Sequence, residues 1–120
     1  MTLDQYDTFC RSLPATTFVC QWGDAHVWKV GGKVFAIAGW AKPPTLGITF
    51  KTSPLHYDIL REQPGLRPAP YLASRGMKWI QHYDKPGLST KELAYYLGES
   101  YRLVVAGLSK KRQRELGLAN

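Results

Sequence analysis

Apolar side chains recur along this chain with two different periods, and the change of period separates predicted helices from predicted strands. A spacing of three to four residues predicts helices over residues 2–13, 54–63 and 90–108. A spacing of two predicts strands over residues 16–22, 26–30, 33–40, 46–52 and 77–83. Each predicted helix begins after a side chain that can cap it: Thr2, Ser53 or Ser89.

The order of these segments predicts the fold class. It runs helix, four strands, helix, strand, helix, or α-β-β-β-β-α-β-α, and short turns join the consecutive strands. This order is typical of an α+β protein, with an antiparallel sheet of about five strands and helices packed on one face. The 120 residues suit one domain, which we assign to residues 1–109, followed by a basic C-terminal tail over residues 110–120.

Gly31-Gly32 lies between two strand-like segments, which predicts a tight hairpin with a two-residue turn. Such a turn fixes three cross-strand pairs on one face: Val30–Lys33, Trp28–Phe35 and His26–Ile37. That face carries the larger side chains, so we expect it to face the core. The opposite face carries small residues and one lysine, so we expect it to be partly open: Val27, Lys29, Val34, Ala36 and Ala38.

Candidate catalytic groups are few. Gly31-Gly32-Lys33 lacks the spacing of a phosphate-binding loop and the Ser or Thr that follows its lysine. Cys20 and His26 are the residue types of a nucleophile and its base. However, Cys20 alternates with Phe18 and Trp22 on the face predicted to be buried, which favours a structural thiol. We therefore expect no enzymatic activity.

Composition limits the classes of function that suit this chain, but it does not identify one of them. Sixteen Lys and Arg against nine Asp and Glu give a net charge of +7, which favours solubility or attraction to polyanions. Two cysteines and three scattered histidines lack the spacing of a zinc site, so we expect no metal and no cofactor. The N-terminus does not resemble a signal peptide, and no apolar run approaches the roughly 20 residues that span a membrane. We expect a cytoplasmic monomer without membrane contact.

The segment Arg61–Trp79 combines prolines, glycines, cations and two large aromatic residues. Proline fixes the backbone, so we expect a stiff cationic loop that makes no hydrogen bonds to itself and links the second helix to the last strand. Trp79 would anchor this loop in the core. Cations of the hairpin, the strands and the loop, with one exposed aromatic residue, are the candidate contacts for a polyanion: Lys29, Lys33, Lys51, Arg67, Tyr71, Arg75 and Lys78.

Four segments, taken together, resemble the MmcQ/YjbR family of small bacterial proteins. They are WKVGGKVFAI, ITFKTSP, PGLRPAPYLASRGMKWI and ELAYYLGESYRLVVAGLSKK, and they cover nearly the whole chain in one order. The resemblance implies a two-layer sandwich similar to the bacterial frataxin homologue. It also implies binding of double-stranded DNA, with contacts at the hairpin around Gly31, Gly32 and Lys33 and at the loop Arg67–Lys78. Lys78 stands where some relatives have a histidine, which changes the local donor.

Two alternatives to DNA binding follow. One is a module that binds a protein or a small ligand in a groove beside Tyr71 and Trp79. The other, suggested by the frataxin-like fold, is iron binding on an acidic ridge of the first helix and strand. Only Asp4 and Asp7 lie there, whereas hard cations need several oxygen ligands, so the sequence argues against iron.

Overall fold

The computed structural model describes residues 1–41, 45–72 and 76–118. Within these ranges the helices are α1 (Leu3–Ser12), α2 (Pro54–Leu60), α3 (Thr90–Ala106) and α4 (Lys110–Glu115). The strands are β1 (Thr16–Gln21), β2 (Ala25–Val30), β3 (Lys33–Ala38), β4 (Ile48–Lys51), β5 (Leu66–Pro68) and β6 (Trp79–His82). They form one antiparallel sheet in the order β1-β2-β3-β4-β6-β5. The predicted α+β class is confirmed.

The sheet has six described strands instead of about five, because part of the predicted loop is a strand. Leu66, Arg67 and Pro68 of β5 pair with β6. Within the segment, the Ala69 amide donates to the Trp79 carbonyl and the Met77 amide to the Leu72 carbonyl, so the expectation that this segment makes no hydrogen bonds to itself is wrong. An edge strand accepts proline, since a missing N–H costs nothing on the side that has no neighbour.

Side-chain caps begin the helices where the sequence predicted them. Thr2 and Ser89 each form a complete capping box, with Gln5 and Glu92 as the reciprocal partners. Ser53 caps α2 by accepting a hydrogen bond from the His56 amide. The first three helices pack on one side of the sheet, called here the covered face. Its core holds side chains from every strand except β1, among them Trp28, Phe35, Ile48, Phe50, Leu66 and Ile80.

The hairpin register departs from the prediction. Val30 pairs with Lys33, as expected, but Trp28 pairs with Ala36 and His26 with Ala38. A β-bulge between Trp28 and Lys29 leaves one extra residue in β3, so the side chains after it exchange faces. Ala36 and Ala38 therefore belong to the covered face and Ile37 to the opposite face, the reverse of the prediction.

The expectation that Phe18, Cys20 and Trp22 share a buried face is also wrong. Phe18 contacts Trp28 on the covered side, yet it is 45% exposed because β1 is an edge strand. Cys20 is exposed. Trp22 has a positive φ of 54° just after the strand, and its ring lies 5.2 Å from that of Trp40. The structural thiol of the chain is Cys10, which is buried in α1.

Ser100 of α3 joins two strands at one end of the sheet. Its hydroxyl accepts a hydrogen bond from the Lys51 amide at 2.9 Å and donates one to the Phe35 carbonyl at 2.6 Å. Direct pairs between β3 and β4 are confined to Ala36–Phe50 and Ile37–Thr49. The buried serine therefore replaces the missing ladder bonds where the two strands separate.

The predicted basic tail contains a helix. Ser109 caps α4, and Leu108 and Leu116 flank that helix. A Cβ atom added to Gly31 would lie 2.7 Å from Leu108 and 3.3 Å from Leu116. The residues that flank the basic helix therefore pack against the tip of the β2–β3 hairpin, where Gly31 also has a positive φ of 60° that favours glycine.

Candidate functional site

One row of side chains crosses all six strands on the side of the sheet opposite the covered face. The register gives its order: Val19, Val27, Ile37, Thr49, Gln81 and Arg67. The three apolar members cluster with Ala25, Val34 and Trp40, and among the described residues no helical side chain joins that cluster. We call this side the open face.

A groove of about 800 Å³ runs along the open face. Trp22 and Trp40 line it just after β1 and β3 end. Lys33, Lys51 and Trp79 line it at the opposite end of the sheet, where β3 begins, β4 ends and β6 begins, and the groove also reaches the C-terminal end of α3. Its lining is mostly apolar and aromatic, with two lysines: Trp22, Lys33, Val34, Ile37, Trp40, Lys51, Tyr71, Leu72, Met77, Trp79, Leu103, Val104 and Gly107.

Three aromatic rings form one wall of this groove. The Trp40 ring lies between the other two, 5.2 Å from the Trp22 ring and 6.1 Å from the Tyr71 ring. Trp22 is 53% exposed and Tyr71 is 76% exposed. Large apolar side chains are grouped here at the surface, which is typical of an interaction site.

The two outer residues of the wall have unusual backbone conformations. Trp22 has φ 54° and Tyr71 has φ 68°. The left-handed region costs an ordinary L-residue roughly 1–2 kcal/mol and is rare for bulky side chains. Of the three described non-glycine residues with positive φ, these two line the groove, whereas Ala15 lies between α1 and β1.

Trp79 lies on the groove floor and is 5% exposed. Its Nε1–H has no hydrogen-bond acceptor among the described residues. A buried donor without a partner costs about 1–3 kcal/mol. The predicted anchoring role of Trp79 fits its burial, and the residue also contributes to the groove.

Lys33 and Lys51 bring positive charge to the same groove. Lys33 begins β3 and is exposed, whereas Lys51 ends β4 and is half-buried. Lys51 pairs with Trp79 across the strands. No acidic side chain lines the described part of the groove, and neither lysine forms an ion pair within residues 1–41, 45–72 and 76–118.

The seven predicted contact residues do not all lie together. Lys33, Lys51 and Tyr71 line the groove, and Lys29 is next to it, paired with Val34. Arg67 lies at the far edge of the open face, where its guanidinium donates to Gln81 at 2.9 and 2.7 Å and stacks on the Tyr83 ring. Arg75 falls outside the described residues.

Lys78 points to the other side of the sheet. Its ammonium lies 4.8 Å from the centre of the Tyr57 ring of α2, and its neighbour Trp79 faces the groove. Successive side chains of a strand alternate between faces, which separates these two.

Trp22, Trp40, Leu72 and Met77 also line the groove but were not predicted to be there. A sequence signal exists for two of them. Trp22 precedes Gly23-Asp24 and Trp40 follows Gly39, so both stand at strand ends beside a turn. An aromatic residue beside a turn is often placed at the rim of a sheet and not in its core.

Cys20 and His26 face each other across β1 and β2, but the structure shows no hydrogen bond between this thiol and this imidazole. His26 Nδ1 lies 2.8 Å from the Asp7 carboxylate, which also accepts a hydrogen bond from Trp28 Nε1. Asp7 therefore braces α1 against β2. Asp7 is one of the two acids considered for iron, and both of its carboxylate oxygens already interact with His26 or Trp28.

A second cationic feature is formed by α4. Four cations on this helix are exposed, and its packing against Gly31 puts them next to the hairpin tip that carries Lys33. They are Lys110, Lys111, Arg112 and Arg114. We call this helix and hairpin tip the basic end.

A family model described as YjbR matches residues 11–103. The chain belongs to the YjbR family. The matched range includes all six strands and most of α3, and it leaves out α4 of the basic end. The predicted MmcQ/YjbR resemblance is thereby confirmed.

The crystal structure of Deinococcus radiodurans protein DR2400, a DUF419 domain, is similar to this YjbR-family chain with a TM-score of 0.83. The two sequences are 24% identical, and the match covers 98% of this chain and 88% of that chain. At this identity the likeness shows the fold alone. The comparison with curated proteins gave no match.

Metal clusters and membrane-spanning helices are two further features that bear on function. Among the described residues, no group of three or more His, Cys, Asp or Glu side chains is arranged to hold a metal ion. No helix within the described ranges has the length and apolar character needed to cross a membrane.

Proposed function

We propose that this YjbR-family protein binds a small organic ligand with a flat, apolar body in the groove of the open face. One observation carries the proposal: three costly local features converge on the groove. They are the left-handed backbones of Trp22 and Tyr71 and the buried N–H of Trp79, which has no acceptor in the described part of the chain. Proteins retain such departures from local stability mainly at functional sites.

The size and lining of the groove support this kind of ligand. Its volume of about 800 Å³ lies within the range of ligand pockets, which are largely apolar with a few polar groups. Aromatic rings such as Trp40 and Tyr71 offer flat contact surface at a low cost in side-chain entropy. An aromatic ligand can pack against both by stacked or edge-to-face contact.

The four tryptophans provide the test. Trp22, Trp40 and Trp79 line the groove, whereas Trp28 lies on the covered face with its Nε1–H bound to Asp7. We expect indole and naphthalene-2-carboxamide to shift the NMR signals of the three groove indoles and to leave the Trp28 signal unchanged. No shift at millimolar ligand, or an equal shift of Trp28, would contradict groove binding.

We also propose, as a second candidate, that the basic end binds the phosphates of double-stranded DNA. The supporting observation is that α4 packs against the hairpin tip, so its cations adjoin Lys33 on one surface. Together with the net charge of +7, this suits a polyanion. Binding through phosphates would be independent of sequence and sensitive to salt.

Anisotropy titrations of a short DNA duplex at several salt concentrations test this candidate. Replacing both Lys110 and Lys111 by alanine should make the log–log salt slope less steep by about 0.9 for each phosphate that is no longer neutralised. The control replaces both Lys85 and Lys91 by alanine; these exposed lysines lie outside the basic end, so the same charge is lost elsewhere. Absence of binding at low salt would refute the DNA candidate and leave the groove proposal intact.

A further inference from the structure

We propose that the ligand of the groove is an aromatic anion, whose carboxylate or similar group is bound by Lys51 and Lys33. This inference rests on the groove function proposed above and narrows its ligand class. The aromatic body would lie against Trp40 and Tyr71, and the anionic group would lie at the end of the sheet where both lysines stand.

Lys51 is the better positioned of the two lysines. It pairs with Trp79 across β4 and β6, so both side chains are on the open face. Its backbone amide is held by Ser100, and its side chain is half-buried. A partly desolvated ammonium on a fixed backbone interacts more strongly with an anion than a fully hydrated one does.

Lys33 adds a second ammonium at the same end of the sheet. β3 and β4 are antiparallel, so β3 begins at the same end of the sheet where β4 ends. Both side chains line the groove. Two cations at one end of an apolar groove match a ligand that has one apolar part and one anionic part.

The charge of these lysines is not balanced by the described protein. Every described ion pair lies elsewhere: His26–Asp7, Arg61–Glu62, Arg102–Glu99 and Arg112–Glu115. The described groove lining contains no Asp or Glu. A bound anion would supply the missing negative charge.

The end of α3 offers a competing role for the lysines. Gly107 caps this helix and lines the groove, and cations near a helix C-terminus are stabilising. In that case Lys51 would contribute to folding stability alone. The two roles differ in one measurable respect, because only a ligand contact makes Lys51 discriminate between a charged and a neutral ligand.

The test uses naphthalene-2-carboxylate and naphthalene-2-carboxamide, which share size and rings and differ in charge. Both are titrated against the full chain while the indole signals of Trp22, Trp40 and Trp79 are followed. We expect the carboxylate to bind about tenfold more tightly. The Lys51→Met variant should lose most of that preference and keep its affinity for the carboxamide within about twofold.

Two variants complete the design. Lys33→Met changes an exposed residue, so it should fold normally, and it should reduce the preference to a smaller extent. Lys91→Met removes the same charge from the start of α3 and should leave the preference unchanged.

Equal affinities for the two ligands in the unmodified protein would overturn the anion inference and leave groove binding standing. An equal loss of preference in Lys91→Met would also overturn it, since net charge alone would then explain the result. If neither ligand shifted the groove indoles, both the inference and the groove function would fail.

Discussion

The covered and open faces of the sheet are built from the same strands, but their side chains meet different surroundings. Phe50 on the covered face is fully buried and stacks on Tyr96 of α3. On the open face, the Trp40 ring contacts Trp22 and Tyr71, both largely exposed. Three helices bury the first set, and the second set borders a groove.

We therefore expect residues of the covered face to contribute mainly to folding stability and residues of the open face mainly to ligand binding. A close-packed face holds its side chains in one arrangement and loses free energy when any of them is truncated. The aromatic residues of the open face contribute less to folding and retain backbone strain and an unpaired N–H. Substitutions on the two faces should therefore affect different measurements.

The largest effect is expected for Phe50→Ala on the covered face. It should lower the free energy of unfolding by about 3–5 kcal/mol, because it opens a cavity in the fully buried core. Met77→Ala, at an exposed position of the groove, should cost about 1 kcal/mol or less. Urea denaturation of both variants compares them, and similar losses would show that the faces do not differ in this way.

Ser100→Ala tests the hydrogen-bonded link between β3 and β4. The Lys51 amide and the Phe35 carbonyl would both lose their partner, at about 2–4 kcal/mol in total. Ser12→Ala is the control, since its hydroxyl bonds only to the Phe9 carbonyl on an exposed helix end. Urea midpoints that change equally for the two variants would mean that the buried bridge adds no stability.

Tyr71→Ala should affect binding much more than folding. We expect about a tenfold loss of affinity for naphthalene-2-carboxamide, or about 1.4 kcal/mol, with the unfolding free energy within about 1 kcal/mol of the original. Tyr95→Ala, which also removes an exposed tyrosine but on α3, should change neither quantity. Unchanged affinity in Tyr71→Ala would remove the aromatic wall from the binding site.

The smallest effect concerns the two unpaired buried nitrogens, one on each face: Trp79 Nε1 and His82 Nε2. Only the histidine titrates. Burial lowers the pKa of His82 from its usual 6.5. The unfolded chain therefore takes up the proton first as the pH falls, so this stabilising contribution is complete above the unfolded pKa and is lost as the pH falls through the folded pKa.

His82→Gln should accordingly make the protein less sensitive to a change from pH 7 to pH 5, as measured by urea denaturation at both values. His56→Gln on α2 serves as the comparison, because it replaces a histidine at a half-buried position near Tyr96. An unaltered pH dependence in His82→Gln would show that the partly buried His82 ring does not contribute to it.

Much of the fold follows from local signals in the sequence. The caps at Thr2 and Ser89, the Ser53-Pro54 start and the Gly31-Gly32 turn depend on residues close in the chain, and each is found where predicted. The short strand β5 was missed because its three residues include a proline and are stabilised only by the distant β6.

The candidate site was predictable in part. A groove beside Tyr71 and Trp79 was one of the alternatives that the sequence suggested. Lys33 and Lys51 were predicted separately, as contacts for a polyanion, and the structure places both in the groove lining. The aromatic neighbours were not predicted, because Trp22 was assigned to the core by alternation alone. Its positive φ breaks that alternation just after β1, at the residue that precedes the Gly23-Asp24 turn.

Sequence patterns were sufficient for the α+β class, the family, the starts of the first three helices and the type of every element except β5 and α4. Those properties depend on apolar periodicity, caps and turn residues that act within a few positions. The tertiary structure alone decided which face each strand residue occupies beyond the bulge, how Ser100 bridges β3 and β4, and which aromatic residues meet at the groove. All three features depend on contacts between residues far apart in the chain. The bulge shows how large the effect can be, because one extra residue in a strand exchanges the faces of the side chains that follow it.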